Sequence, residues 1–276
     1  MLNSYKIIIG PHTQEKLIDW KELWRYRELF YILTWRNIKI RYKQTFLGVV
    51  WVLFQPLMST LIFTVFFGKL AKIPSYDIPY SLFVLCGLVF WIFFSSAVTQ
   101  ASTSMVTNEG IIKKVYFPRI ILPLSFVITS FVDFLINLIM LIVYSLILGY
   151  IPSIGIFVVI PLGIVITFLT ASGLGFLLSA IYVKYRDIGY ILPFFIQLLL
   201  FLSPVIYPLA IVSDTNKKIM AINPMTSVIE SVRMVFSRKE FLSINIILIS
   251  VISCLTVFFI GLWYFKRTEK FFADII

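Results

Sequence analysis

The residues best suited to bind a ligand are the basic side chains of an N-terminal segment. Between Leu23 and Lys43 the sequence has no Gly or Pro, and it predicts one helix with two faces. The apolar face holds Leu23, Tyr26, Leu29, Phe30, Leu33 and Ile40, and the charged face holds Arg25, Glu28, Arg36, Lys39 and Lys43. Such a helix lies in the membrane interface. It suits three roles: gathering an anionic lipid-linked substrate, contacting a cytoplasmic partner, or anchoring the chain.

One acidic residue, Asp133, lies well inside an apolar run. Intramembrane carboxylates are costly and by default suggest function. Here we favour a structural role, because Asp133 would repel an anionic substrate. Thr129 precedes it and Asn137 follows it, each by four residues on one helical face, which suggests hydrogen bonds that pack helices. Gln55 and Gln197, each near a proline, are expected to bridge helices or line a pore.

The usual enzymatic motifs are missing from the sequence. There is no G-x-x-x-x-G-K-[ST] phosphate loop, paired carboxylates or Ser/His/Asp set. The single histidine, His12, lacks ligand-spaced neighbours, so we expect no metal site. Cys86 and Cys254 fall in separate apolar runs and are expected to be reduced packing residues. The sequence therefore predicts a passive conduit, without cofactors of its own, that takes its energy from elsewhere.

The elements that must position these residues are long apolar helices. The 276-residue chain is 60% hydrophobic and 13% charged, with runs of the length that crosses a bilayer as a helix. We predict an all-α integral membrane protein with six spans: Phe46–Gly68, Tyr80–Val98, Ile120–Leu148, Ile154–Val183, Ile191–Ile211 and Ile244–Phe265. The first 45 residues are too polar for a signal-peptide core.

The distribution of basic residues predicts the orientation. With six spans, 17 of the 24 Lys and Arg residues fall in the N-terminal segment, the 99–119 and 184–190 loops and the C-terminal tail. Excess Lys and Arg marks the cytoplasmic side, so both termini are placed there. The chain has a net charge of +11, and we expect its Lys and Arg residues to contact anionic lipid headgroups. No nucleic-acid partner is expected.

Two connections carry structure of their own. Residues 104–119 predict a short capped helix ended by Pro118, with Ile111, Ile112, Val115 and Tyr116 as an apolar patch that a partner or the interface must cover. Residues 203–241, where Pro204 and Pro208 interrupt an apolar run, predict short re-entrant helices that gate or cap the outer side. The domains are therefore 1–45 (N-terminus with interface helix), 46–265 (export domain) and 266–276 (tail).

Ordered sequence blocks resemble a known family. They are Ile40–Trp51 with Gln55-Pro-Leu57, Asn108–Pro123, Tyr185–Ile188, Pro193–Gln197, Ser203–Pro208, and Asn223-Pro224 with Ile229–Arg233. In this order they are similar to the permease subunits of ABC-type exporters of O-antigen, capsular polysaccharide and teichoic acid. The resemblance covers roughly Phe30 to Phe265.

The resemblance implies a homodimer in the cytoplasmic (inner) membrane, bound to two copies of a separate ATPase that carries the ATP and Mg. The substrate would be an undecaprenyl-diphosphate-linked glycan. The implied diphosphate ligands are Arg36, Lys39, Arg41 and Lys43. The implied channel-lining aromatics are Phe54, Phe63, Phe194, Phe195, Phe201 and Tyr207, since ring faces pack on sugar C–H surfaces. The implied ATPase-coupling residues are Asn108, Glu109, Lys113, Lys114, Tyr116 and Arg119.

Two other functions stay open from the sequence. A drug or lipid exporter of the same architecture would take a smaller substrate and leave the surface glycan unchanged in a deletion strain. A membrane enzyme of glycolipid assembly would be active without any ATPase.

Overall fold

The computed structural model describes residues 19–43, 48–239 and 242–272, and their secondary structure is helical throughout. The α-helices are α1 Trp20–Arg25, α2 Arg27–Lys43, α3 Val49–Phe63, α4 Tyr80–Thr107, α5 Glu109–Ile112, α6 Ile121–Ile147, α7 Ile156–Lys184, α8 Ile188–Leu202, α9 Asp214–Met220, α10 Pro224–Ser237 and α11 Ile244–Thr268. A π-helix, Thr64–Leu70, extends α3, and short 3-10 helices cover Leu209–Ile211 and Glu269–Phe271. The predicted all-α fold class is confirmed. His12, the predicted first-span start at Phe46, and residues 240, 241 and 273–276 lie outside the described residues.

Five helical stretches in the described part are long and apolar enough to cross a membrane. They are Val50–Leu70, Tyr80–Thr107, Ile121–Ile147, Ile156–Lys184 and Ile244–Thr268. The fifth predicted span, Ile191–Ile211, differs: α8 has 15 residues and ends at Leu202, which gives about 22 Å of helix against a bilayer core of about 30 Å. The break follows from Pro204, which has no N–H to continue the helix. The count of six crossings stays a prediction.

Helix α4 forms the centre of the bundle. It packs against α3, α6, α7 and α10, and its residues from Leu82 to Phe94 are almost all buried. A helix that is apolar on all sides is expected in such a position. At its contact with α6, the ring centroids of Phe90 and Phe93 each lie 5.0 Å from that of Phe134.

Glycines allow α7 and α11 to pack at very short distance. A Cβ added at Gly261 would lie 2.0 Å from the carbonyl oxygen of Gly173, and one added at Gly173 would lie 2.6 Å from the Cα of Phe258. Such close approach of backbones is typical of helix pairs in membranes.

One end of the bundle is held by an apolar cluster, which we call the basal cluster: Leu33, Met105, Ile112, Phe117, Phe176, Phe265 and Phe272 are among its buried members. It joins α2, the α5 connection and the end of α11. The structure thus brings the N-terminal helix, the 104–119 connection and the described C-terminal residues to the same end, as expected. The assignment of this end to the cytoplasm stays a prediction from the charge distribution.

The opposite end is closed by the region between α8 and α11. Here α9 and α10 follow the proline-broken segment, and α10 is buried over most of its length against α4, α7 and α11. The prediction of short helices in residues 203–241 is confirmed for the described residues of that range.

Candidate functional site

A polar cavity of about 620 Å³ lies among α3, α4, α6, α8 and the end of α2. Its polar lining consists of Arg41, Gln55, Ser95, Ser96, Thr99, Gln100, Ser130, Asp133 and Asn137, and its aromatic lining of Trp51, Phe93 and Phe134. The turn into α3 at Gly48 borders it, with a backbone φ of +46° that favours glycine. The cavity thus combines hydroxyls, amides and ring faces at membrane depth.

The hydroxyls and amides of the cavity retain unused hydrogen-bonding capacity. Gln100 Nε2 donates to Ser96 Oγ at 2.5 Å and to Ser130 Oγ at 3.1 Å, and the two serine oxygens lie 3.3 Å apart. Asn137 is 1% exposed, and its Oδ1 has no hydrogen-bond partner. A buried polar atom without a partner is costly, and it requires an explanation such as a bound ligand.

Asp133 is tied to the N-terminal helix. Its two carboxylate oxygens accept hydrogen bonds from the Arg41 guanidinium and the Tyr42 hydroxyl. Thr129, on the same face of α6, donates from Oγ1 to the Ser125 carbonyl of its own helix at 2.9 Å. Asp133 therefore connects α6 to α2, because an ionised group at this depth needs a charged partner.

The four cations expected to bind a diphosphate are divided in the structure. Arg36 donates to Asn108 Oδ1 at 2.6 Å and Arg41 pairs with Asp133, so both contact groups of the chain itself. Lys39 and Lys43 are exposed. Only these two lysines present their charge to the surface, whereas Arg41 lies at the cavity wall.

The predicted apolar face of the N-terminal segment packs on the helix bundle, with one exception. Leu23, Tyr26, Leu29 and Phe30 pack on the basal cluster, and Leu33 is buried in it. Ile40, expected on this apolar face, is 51% exposed. The outward face of α1 and α2 carries exposed aromatics, namely Trp20, Trp24, Tyr31 and Trp35, which prefer the membrane–water interface.

The 104–119 connection presents some of its predicted coupling residues and buries others. Lys113, Lys114 and Tyr116 are exposed, Tyr116 by 74%. Glu109 Oε1 accepts from Lys113 Nζ at 2.6 Å, and this ammonium holds the pKa of the Glu109 carboxyl below its usual value. Of the predicted apolar patch, Val115 is exposed and Ile111 half-buried, while Ile112 belongs to the basal cluster.

Two predicted coupling residues point inward. Asn108 is buried and accepts from Arg36, so it joins the connection to α2. The Arg119 backbone N–H donates to Glu269 Oε1 at 3.0 Å, and its guanidinium bonds the Glu269 carbonyl and lies over the Phe272 ring. These side chains therefore hold the connection to the N- and C-terminal segments.

The predicted aromatics lie outside the cavity. Phe54, Phe194, Phe195 and Phe201 are exposed on the outer surfaces of α3 and α8, and Phe63 and Tyr207 pack partly on the core. Among the described residues the cavity rings are Trp51, Phe93 and Phe134 instead. Sequence reasoning missed the polar wall because the second span was ended at Val98. In fact α4 continues to Thr107, so the spacing of Ser95, Ser96, Thr99 and Gln100 marks one helix face.

A second polar group, fully enclosed, holds the broken segment at the other end. Arg233 is 0% exposed and donates to the carbonyls of Phe83 (3.0 Å), Pro204 (2.5 Å), Val205 (2.5 Å) and Tyr207 (3.3 Å). It also contacts Glu230 Oε2 at 3.2 Å. Three backbone carbonyls of the proline-broken segment are thus satisfied by protein, as non-helical backbone in a membrane requires.

Comparison with known proteins places this architecture among transporters. The family model described as ABC-2 type transporter matches residues 28–237. The chain is 31% identical over 218 residues to the O-antigen export system permease protein RfbA of Myxococcus xanthus, covering 78% of this chain and 83% of the relative. It is 28% identical to the Klebsiella pneumoniae protein of the same name over 90% of this chain and 95% of the relative. It is 25% identical to the polysialic acid transport protein KpsM of Escherichia coli over 85% of this chain and 91% of the relative.

Proposed function

The chain belongs to the ABC-2 type transporter membrane family, and from this premise we propose that it is the membrane subunit of an ATP-driven polysaccharide exporter. Relatives that align with most of their length are named for O-antigen export and polysialic acid transport. The proposed substrate is a glycan linked to undecaprenyl diphosphate, carried from the inner to the outer leaflet. The chain supplies the membrane passage and belongs to no enzyme class of its own.

The polar cavity is the observation that carries this proposal. A glycan is rich in hydroxyls, which donate and accept hydrogen bonds like the Ser and Thr side chains of the wall. The unpartnered Asn137 Oδ1 is an acceptor for such a hydroxyl. The rings of Trp51 and Phe93 offer faces for sugar C–H groups. A small apolar drug would leave these polar groups without partners, at a cost in affinity.

A second copy of the chain would complete the passage. The flanking helices α3 and α8 expose large apolar side chains, among them Phe54, Leu61, Phe194 and Phe201. Pairing of these faces between two copies would enclose the open side of the cavity and bring the six predicted aromatics toward a shared channel. Lys39 and Lys43, the two exposed lysines of α2, would meet the diphosphate at the cytoplasmic interface.

The energy would come from two copies of an ATPase that hold the ATP and Mg. Lys113, Lys114 and Tyr116 form the exposed surface available to that partner at the predicted cytoplasmic end, and the half-buried Glu109 is paired with Lys113 beside it. Movement there would reach the cavity through α2, because Arg36 bonds Asn108 beside the connection and Arg41 bonds Asp133 at the cavity. Arg119 and Asn108 would transmit the movement without touching the ATPase.

The test is export by Gln100→Leu in a strain whose own copy is deleted. Gln100 links Ser96 and Ser130, so its loss breaks the polar wall. We expect surface glycan to fall about tenfold or more, since the loss of one or two substrate hydrogen bonds costs over 1.4 kcal/mol. Thr256→Leu, on the exposed face of α11, serves as the matched control. Normal surface glycan in the deletion strain itself would refute the proposed function.

A further inference from the structure

The charge of the polar cavity suggests which glycans pass it. Its ionisable lining residues in the described part are Arg41 and Asp133, and these two pair with each other. The remaining polar lining consists of hydroxyl and amide groups. The wall therefore offers hydrogen bonds to a ligand, while its one cation already has an anionic partner from the chain itself.

The positions of the acceptor atoms in the wall also favour a ligand that donates hydrogen bonds. Both oxygens of Asp133 are turned to donors from α2, and the Asn137 Oδ1, four residues further along α6, has no donor. A ligand that satisfies Asn137 must supply a hydrogen, as a sugar hydroxyl or an acetamido N–H does. A carboxylate supplies acceptors alone, so it leaves the Asn137 Oδ1 without a partner.

We propose that this exporter carries neutral glycans, built of hexoses, deoxyhexoses or N-acetylated amino sugars, and discriminates against polymers with a carboxylate in each repeat. This inference rests on the proposed function and narrows its substrate class. Its physical basis is that an anionic sugar entering the cavity loses hydration and finds no cation that is not already paired, which is the costly case for a charge removed from water. A hydroxyl exchanges water hydrogen bonds for those of the wall at little cost.

The experiment uses the complete exporter, this chain with its ATPase, in two hosts that lack their own exporter. One host makes a neutral glycan and the other a uronic-acid polymer on the same carrier lipid. We expect surface display of the neutral glycan and at least about tenfold less of the acidic one, since an unpaired buried charge costs more than one factor of ten. Membrane levels of the chain, measured by immunoblot, normalise both values.

A charge variant tests the cause. Gln55 lies on the cavity wall and is itself exposed to the open side. Gln55→Lys adds an unpaired cation there and should raise the ratio of acidic to neutral export, whereas the matched Gln55→Met should leave that ratio as it is. Equal export of both glycans by the unaltered exporter would overturn the inference and leave the proposed function intact. Export of neither glycan would overturn both.

Discussion

Two regions of this chain bury polar groups at membrane depth, and they treat them in opposite ways. At the end opposite the basal cluster, Arg233 has every side-chain nitrogen bonded, and Glu230 accepts from the Tyr76 hydroxyl and the Leu209 N–H as well as from Arg233. In the cavity, Asn137 Oδ1 has no partner. A saturated network stabilises a fold, whereas an incomplete one costs stability until a ligand completes it.

This difference distinguishes polar groups that stabilise the fold from polar groups that are available to a ligand. Arg233 bonds backbone carbonyls of the segment 204–207, which is not helical, and its guanidinium lies 3.5 Å from the Phe83 ring centroid. Every nitrogen of that guanidinium is already bonded, so Arg233 has no donor left for a substrate group. The cavity wall, in contrast, has rings, hydroxyls and amides around an open volume. The two regions therefore predict opposite outcomes for mutation.

The largest expected effect is loss of the saturated network in Arg233→Met. Removing one partner of a buried pair leaves Glu230 uncompensated and frees four backbone carbonyls, so the free energy of unfolding should fall by about 3 to 5 kcal/mol. Thermal unfolding of the purified chain in detergent measures this. Arg267→Met, at an exposed cation that lies over Trp263, should change stability little. If both variants melt alike, the Arg233 network does not stabilise the fold.

A smaller loss of stability is expected where the backbones of α7 and α11 pack closely through glycines. Gly261→Ala places a methyl group against the Gly173 carbonyl, and α7 and α11 must separate. Overpacking of this kind costs about 1 to 3 kcal/mol. The matched variant Gly110→Ala meets no atom within 4 Å and should have nearly unaltered stability. The same detergent melt compares them, and a greater loss in Gly110→Ala would contradict the close packing.

The scaffold could be predicted from the sequence because apolar length alone determines where a helix crosses a membrane. Four predicted spans agree with α4, α6, α7 and α11 apart from their ends. The error at Val98 had a physical cause: polar residues were taken to end the span, whereas they line a cavity inside it. The fifth span was too long because Pro204 interrupts it.

The contacts of the site were beyond sequence reasoning because they join distant segments. Arg41 and Asp133 lie 92 positions apart in the chain, and neither residue type identifies the other as its partner. Arg233 donates to backbone carbonyls. Every residue has a backbone carbonyl, so no pattern of side chains in the sequence reveals which ones Arg233 contacts. The sequence block Ile229–Arg233 included Glu230 and Arg233, but it did not indicate that they form a buried ion pair.

The smallest effect on stability should accompany a large effect on transport. Asn137→Leu replaces an amide whose Oδ1 has no partner by an apolar side chain of similar size, so unfolding should change by less than about 1 kcal/mol. Export should nevertheless fall severalfold, because the wall loses an acceptor for the passing glycan. Thermal unfolding and surface glycan, measured on the same variant, separate the two quantities.

Asn137→Asp keeps the acceptor but adds a charge beside Asp133, and it should impair export of an acidic glycan more than that of a neutral one. A strongly destabilised Asn137→Leu with normal export per folded molecule would show that the cavity, like the Arg233 network, is only structural.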